Sequence, residues 1–259
     1  MILDDILDEK KKAVSESRQR FPLPELEQQA AAADPPRGFA RALRAGTGMA
    51  CIAEFKRRSP SKGWIHQSAD PAAVAAVYEA AGAAAMSVLT DTPFFGGEIE
   101  DLRRARAAIA LPVLRKDFVI DPYQIVEARA AGADAVLLIV AALGDRELGD
   151  LLAEAHRLRL DALVETHDSE EVRRALAAGA TIIGINHRDL RTFDMNMDLA
   201  VNLRPSIPAD CVVVAESGLR SHADVEKLER AGVDAILVGE TLMQAPDPVA
   251  ALRELLGRR

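Results

Sequence analysis

Six polar residues close otherwise apolar runs in this chain: Glu54 and Lys56 in MACIAEFK, Lys116 in LPVLRK, Glu165 in DALVE, Asn186 in TIIGIN and Glu216 in CVVVAE. Lysine and glutamate together supply a proton donor and a proton acceptor, and asparagine can orient either. The run Val212, Val213, Val214, Ala215 reads as a strand buried on both faces, the pattern of a parallel sheet. Ionisable or polar groups at the ends of five such strands gather at one end of the sheet. In a closed parallel barrel that end is the mouth, where such barrels place their chemistry. Glu54 and Lys56 stand two apart, so they share a face while the strand persists.

The elements that must position these residues announce themselves as a repeat. AGAAAMSVLT, AGADAVLLIV, AGATIIGIN and AGVDAILVG each follow an Ala-rich helical pattern. Their glycines, Gly82, Gly132, Gly179 and Gly232, are spaced 50, 47 and 53 residues apart. Each fits the position just past a helix C-terminus, with a strand to follow. Each interval has room for one further strand and helix, giving strands near 49–55, 84–90, 112–116, 134–140, 161–165, 181–186, 211–216 and 234–238. Helices are expected near 71–81, 99–110, 122–131, 145–159, 168–178, 196–203, 221–231 and 247–257. Asp70-Pro71, Asp121-Pro122 and Asp247-Pro248 make good helix starts. Strand–helix alternation implies a parallel sheet, and eight units favour closure. The expected fold is a single α/β domain, a (β/α)8 TIM barrel over 48–259 with an N-terminal helical extension over 1–47. That extension carries a helix near 2–19, a break at Pro22 and Pro24, and a shorter helix near 37–44. It is expected either to plug the barrel bottom, to reach the mouth and help close the site, or to make an oligomer contact.

Bulk properties narrow the function. A chain of 259 residues with 49% hydrophobic and 4% aromatic residues builds its core from Ala, Val, Leu and Ile. The net charge of −8 argues against nucleic acid or an anionic membrane surface as partner. Local lysines still allow a small anionic substrate. Cys51 and Cys211 lie in apolar runs and read as reduced core residues. MILDDILDEKKK is unlike a signal peptide and no apolar stretch is long enough to span a membrane, so the cytoplasm is expected. The histidines, His66, His156, His167, His187 and His222, lack metal-ligand spacing, and no metal is expected. Neither G-x-G-x-x-G after the first strand nor G-x-x-x-x-G-K-[ST] is present.

The loops add binding groups. Residues 57–69, with Ser59, Ser61, Lys62, Gly63 and Trp64, form a long polar loop expected to bind an anion and cover the mouth. Glu216-Ser217-Gly218 and Gly239-Glu240 follow the seventh and eighth strands, where such barrels hold phosphate on backbone N–H groups and a short extra helix. GETLMQ, residues 239–244, suits that helix. The Glu240 side chain should then point away from the anion. His167, two residues beyond Glu165, is a second candidate proton carrier.

IAEFKRRSPSKG, LTDTPFFGG, LPVLRKDFVID, LLIVAAL, LVETH, IGINHRDLRTF, VAESGL and AILVGETLM together resemble the indole-3-glycerol phosphate synthase family, in that family's order over roughly 50–243. The resemblance implies a (β/α)8 barrel and a carboxy-lyase of tryptophan biosynthesis. Its substrate would be 1-(2-carboxyphenylamino)-1-deoxyribulose 5-phosphate and its products indole-3-glycerol phosphate, carbon dioxide and water, with no cofactor. It implies Lys116 as general acid, Glu165 as base and stabiliser of iminium-like intermediates, and Lys56 as anion holder and second proton carrier. Glu54 and Asn186 would orient these groups, Ser217 would belong to the catalytic set as well as to the phosphate site, and Ser59, Arg188 and Glu216 would line the site. Phe95, Phe118, Leu137, Leu190 and Leu237 would wall the anthranilate ring, and Ser217, Gly218, Gly239 and Glu240 would hold phosphate. The chain is expected to act as a monomer. It departs from the family at Glu98, Thr166 and His187, where Ser, Val and Asn are common. His187 is expected to add a group titrating near neutral pH. The alternatives are a phosphoribosylanthranilate isomerase-like barrel, which would want a Cys and Asp pair at strand ends, and a non-catalytic barrel binding a phosphometabolite.

Overall fold

A computed structural model describes residues 2–189, 192 and 194–258. Eight parallel strands, Ala50–Phe55, Ala85–Leu89, Val113–Lys116, Ala135–Ile139, Asp161–Thr166, Ile182–Asn186, Val212–Glu216 and Ala235–Val238, pair in chain order. The first closes on the eighth, with Ala50 opposite Ala235 and Ala53 opposite Val238. Every strand is buried along nearly its whole length, which is why no strand shows simple polar–apolar alternation. Side chains divide by parity. Ile52, Leu114, Leu137, Leu163, Ile182, Val212 and Val214 fill the barrel. Cys51, Ala53, Val113, Val136, Leu138, Val164, Ile183 and Val213 face the helices.

The expected helix ends are made by the chemistry the sequence indicates. Asp70 accepts from the N–H groups of Ala72 and Ala73, Asp121 from Tyr123 and Asp247 from Ala250. Gly82, Gly132, Gly179 and Gly232 all have φ between +82° and +89°. A side chain there would be strained, so the Ala-Gly repeat is a record of four left-handed helix stops.

The extension does two jobs that the sequence left as alternatives. Helix α1 (Ile2–Arg20) lies at the mouth, where Leu3 and Ile6 join Phe118, Leu137 and Leu237. Helix α3 (Phe39–Leu43) closes the opposite end, with Phe39 and Leu43 against Ala50, Ala85, Ala135 and Ala235 at the strand starts. Between them runs α2 (Leu23–Ala32), which the reading of Pro22 and Pro24 as a break did not anticipate. Pro24 falls in the first turn, where its missing N–H has no intrahelical acceptor to lose. Loop 57–69 also holds more structure than expected, a two-residue hairpin pairing Arg58 with Trp64 and Ser59 with Gly63.

Lys10 fastens α1 to the mouth. It is buried, 2.9 Å from Asp91 and 2.6 Å from Asp117, both just past strand ends. Burial works against the Asp117 carboxylate, but Lys10, Arg115 and Thr90 outweigh it and hold its pKa down to about 2. Lys10→Met strands two buried carboxylates, although Arg115 still meets Asp117 at 3.3 Å. The expected loss is up to about 3–5 kcal/mol, the scale for removing one partner of a buried pair. Urea unfolding reads it, and an unchanged midpoint would show that α1 is held by its other contacts, Leu3, Ile6 and Val14 in the core and Arg18 on Asp121, without help from Lys10.

Candidate active site

The parity that fills the barrel also aims the polar residues. Glu54 shares its face with Ile52, Lys116 with Leu114, Glu165 with Leu163, Asn186 with Ile182, and Glu216 with Val214, so all five point inward at the strand ends. They line one open cavity at the mouth. Lys116 Nζ lies 3.1 Å from Glu165 Oε2 and 2.9 Å from Glu216 Oε2. Asn186 Nδ2 donates to Glu165 Oε1 at 3.1 Å, and Asn186 Oδ1 accepts from the Arg188 N–H, which fixes the amide orientation. Lys56 Nζ lies 2.8 Å from Glu54 Oε1.

This packing sets the charges. Burial opposes the Lys116 ammonium, yet Glu165, Glu216 and Glu54 overcome it and hold its pKa well above the usual lysine range. Glu165 is buried too, but Lys116, His167 and Asn186 keep it ionised, far below the usual carboxylate range. Glu216 goes the other way. Burial and the nearby Glu165 charge push it up to about 7 against the pull of Lys116. One carboxylate beside Lys116 is thus firmly ionised and the other is poised.

His167 stands behind Glu165 rather than in the cavity lining. Its Nε2 is 3.3 Å from Glu165 Oε1, an ion-pair distance outside hydrogen-bond geometry. Its Nδ1 is 3.0 Å from Glu171 Oε2. Burial disfavours its charge, but the two glutamates outweigh this and raise its pKa to about 10, so it is an imidazolium at pH 7. It is placed to hold Glu165, not to shuttle protons near neutrality.

The close approach of strands to carboxylates demands glycine at two places. A Cβ on Gly184 would lie 2.4 Å from Glu216 Oε1, and one on Gly239 would lie 2.4 Å from Glu54 Oε1. Gly184→Ala should displace Glu216 from Lys116 and destabilise the barrel by about 1–3 kcal/mol, as overpacking does. Denaturation together with turnover checks it; full activity and stability would mean that Glu216 has free space to move into.

The apolar wall stands beside the acid–base cluster. Phe95 and Phe118 sit with ring centroids 6.2 Å apart, tilted 36°, and Leu137 and Leu237 complete the slot. Leu3 and Ile6 close it from α1, residues the sequence reading did not select. Their helical spacing with Lys10 and Val14, an inward stripe on α1, was the available signal. Leu190 lies outside the described residues.

Ser59, Ser217, Gly218, Gly239 and Glu240 line the far side. The Ser59 hydroxyl is buried with no hydrogen-bond partner among the described residues. Ser217 and Gly218 both have positive φ, +68° and +80°. The expected short helix is present as Glu240–Gln244, with Gly239 preceding it. The Glu240 carboxylate is 3.8 Å from Lys62 across the cavity edge. Arg220, a cation the sequence reading passed over, also lines this side.

The family departures have structural partners. Glu98 precedes the helix Ile99–Ala108, and its N–H donates to Asp101. The Thr166 hydroxyl donates to the Gly184 carbonyl at 2.8 Å. His187 is buried, and burial pushes its pKa below the ordinary imidazole value, away from the titration near neutrality that the sequence suggests. Cys51 faces the helices, its thiol pushed up to about 12 by burial, so it cannot serve as the mouth acid that an isomerase would want. Among the described residues no group of three His, Cys, Asp or Glu could hold a metal ion, and no helix is long and apolar enough to cross a membrane.

Residues 3–255 match the family model described as indole-3-glycerol phosphate synthase. The chain belongs to the indole-3-glycerol phosphate synthase family. A relative named indole-3-glycerol phosphate synthase, from Rhizorhabdus wittichii, is 49% identical over 257 residues, covering 98% of this chain and 97% of the relative. Similarity to solved structures outside the indole-3-glycerol phosphate synthase family extends to the fold alone. A 3-hexulose-6-phosphate synthase aligns with TM-score 0.62 at 18% identity over 81% of this chain and 99% of that one. A thiamine phosphate pyrophosphorylase from Pyrococcus furiosus aligns with TM-score 0.59 at 18% identity over 80% and 93%.

Proposed function

We propose that the chain closes the indole ring of 1-(2-carboxyphenylamino)-1-deoxyribulose 5-phosphate, releasing carbon dioxide and water, with Lys116 as the general acid. The observation that carries this reading is the Lys116 ammonium held between Glu165 and Glu216 at the edge of an aromatic slot. Forming a carbon–carbon bond at a carbonyl needs a proton for the oxygen that becomes a hydroxyl, and Lys116 is a fully charged donor. The ring carbon bearing the carboxylate attacks the ribulose carbonyl carbon, the aniline nitrogen supplying electrons and becoming iminium-like. The carbon–carboxylate bond then breaks, its electron pair returns to the ring, and carbon dioxide leaves.

Dehydration follows. The new hydroxyl takes a proton, for which Lys56 is the second donor, and leaves as water. Glu165 removes the proton from the adjacent carbon to finish the pyrrole ring. Its firmly ionised state leaves it free to accept that proton and, above all, suits it to stabilising the iminium charge. His167 and Asn186 keep it in place, and Glu54 does the same for Lys56. Phe95, Phe118, Leu137 and Leu237 exclude water from the ring, and Arg188 serves the substrate carboxylate. Backbone N–H groups at Gly218 and Gly239, with the start of helix Glu240–Gln244, take the phosphate. The engagement of Glu240 by Lys62 at 3.8 Å favours this, because it draws that carboxylate toward a cation.

The reading includes a monomeric, cytoplasmic enzyme that needs no cofactor. Incubating purified protein with the substrate and a chelator, while following indole fluorescence and released carbon dioxide, tests it. Stoichiometric indole-3-glycerol phosphate and carbon dioxide are expected. A folded sample that yields neither product, with or without chelator, overturns it.

A further inference from the structure

We propose that His187 is a positioning residue for the anion site: its Nδ1–H holds the Ser217 carbonyl so that the Gly218 N–H is presented to the mouth. This rests on the reading of Gly218 as a phosphate ligand and assigns the group that makes it one.

The ring lies 3.0 Å, at Nδ1, from the Ser217 carbonyl oxygen. A carbonyl only accepts, so Nδ1 carries the proton. The other nitrogen, Nε2, is buried and has no partner among the described residues, so this one bond is all the hydrogen bonding the ring does there. Its backbone is pinned as well, by the His187 N–H to Glu216 and by Asn196 to the His187 carbonyl.

Planarity of the peptide does the rest. The chain has no cis peptide bond among the described residues, so the Ser217 carbonyl and the Gly218 N–H point in opposite directions from one plane. Fixing the carbonyl toward the wall turns the N–H outward. That N–H has no acceptor among the described residues, and Ser217 and Gly218 both line the cavity. Ser217 has φ +68°, a conformation that non-glycine residues adopt at a cost and keep only where surroundings impose it. The His187 bond supplies that imposition. An asparagine in its place would put Nδ2 where Nδ1 stands, one bond beyond Cγ, and would donate equally well.

The test uses inorganic phosphate as probe. Titrating labelled protein and following the Gly218 amide resonance should give a saturable shift. His187→Asn should keep the phosphate affinity within about twofold. His187→Leu, with no donor, should weaken it by about three- to tenfold, the worth of one neutral hydrogen bond, and raise KM similarly with kcat at saturation unchanged. His187→Met, which also lacks a donor, should match that loss and serves if the leucine variant does not fold. Equal phosphate affinity in the native, leucine and methionine proteins, with the Gly218 shift intact, would overturn the role of His187 and leave the phosphate site standing. An asparagine variant as weak as the leucine variant would also overturn it, since ring shape rather than the donor would matter. No Gly218 shift in the native protein would overturn the phosphate reading itself, and this inference with it.

Discussion

Lys116→Met should lower turnover by about 10²–10⁴-fold, the usual range for losing a general acid, while KM stays within a few-fold. Methionine keeps most of the length and apolar stem of lysine, so the slot formed by Phe95 and Phe118 is left in place. Removing the ammonium sets Glu165 and Glu216 against each other without a cation between them. Glu216, already pushed up to about 7, then takes a proton rather than forcing the barrel apart. The variant should therefore fold, and thermal unfolding checks that before kinetics are read. A loss confined to KM would make Lys116 a binding residue and move the acid elsewhere, with Lys56 the next candidate.

Glu165→Gln should cost turnover on the same scale, about 10²–10⁴-fold, for the opposite reason. Glutamine keeps the Asn186 contact in shape but cannot accept the proton that closes the pyrrole or balance an iminium charge. Lys116 keeps one ionisable partner, Glu216, at 2.9 Å. The Glu165 charge is one cause of the raised Glu216 pKa, so removing it should move that pKa down from about 7. The free-enzyme pH profile reads this: as pH falls, protonation of Glu216 should set in at lower pH in the variant than in the native protein. An inflection that stays near 7 would assign it to another group.

The barrel was legible in the sequence because the residues that make it are local. The Ala-Gly helix stops, the Asp-Pro helix starts and the doubly buried runs each depend on neighbours a few positions away. The inward aim of Glu54, Lys116, Glu165, Asn186 and Glu216 was equally legible, since alternation along a strand fixes it once the apolar partners are known. What stayed hidden depends on contacts across the chain. Lys10 reads as one of three surface lysines in KKK until Asp91 and Asp117, some 80 and 107 positions away, are found on either side of it. His187 reads as a neutral-pH switch until its burial is known. His167 reads as a proton carrier until two glutamates are found to hold it charged. Pro24 reads as a breaker of the helix Leu23–Ala32 until its position within the first turn, which decides its effect, is known.

How substrate sits against Lys116 decides whether it is the acid for ring closure. A crystal structure with the reduced substrate analogue, in which a hydroxyl replaces the reacting carbonyl, tests this most directly. The account predicts that hydroxyl within hydrogen-bond distance of Lys116 Nζ, the ring between Phe95 and Phe118, and phosphate on the Gly218 and Gly239 N–H groups. An analogue bound with its hydroxyl on Lys56 and Lys116 still enclosed by Glu165 and Glu216 would contradict it.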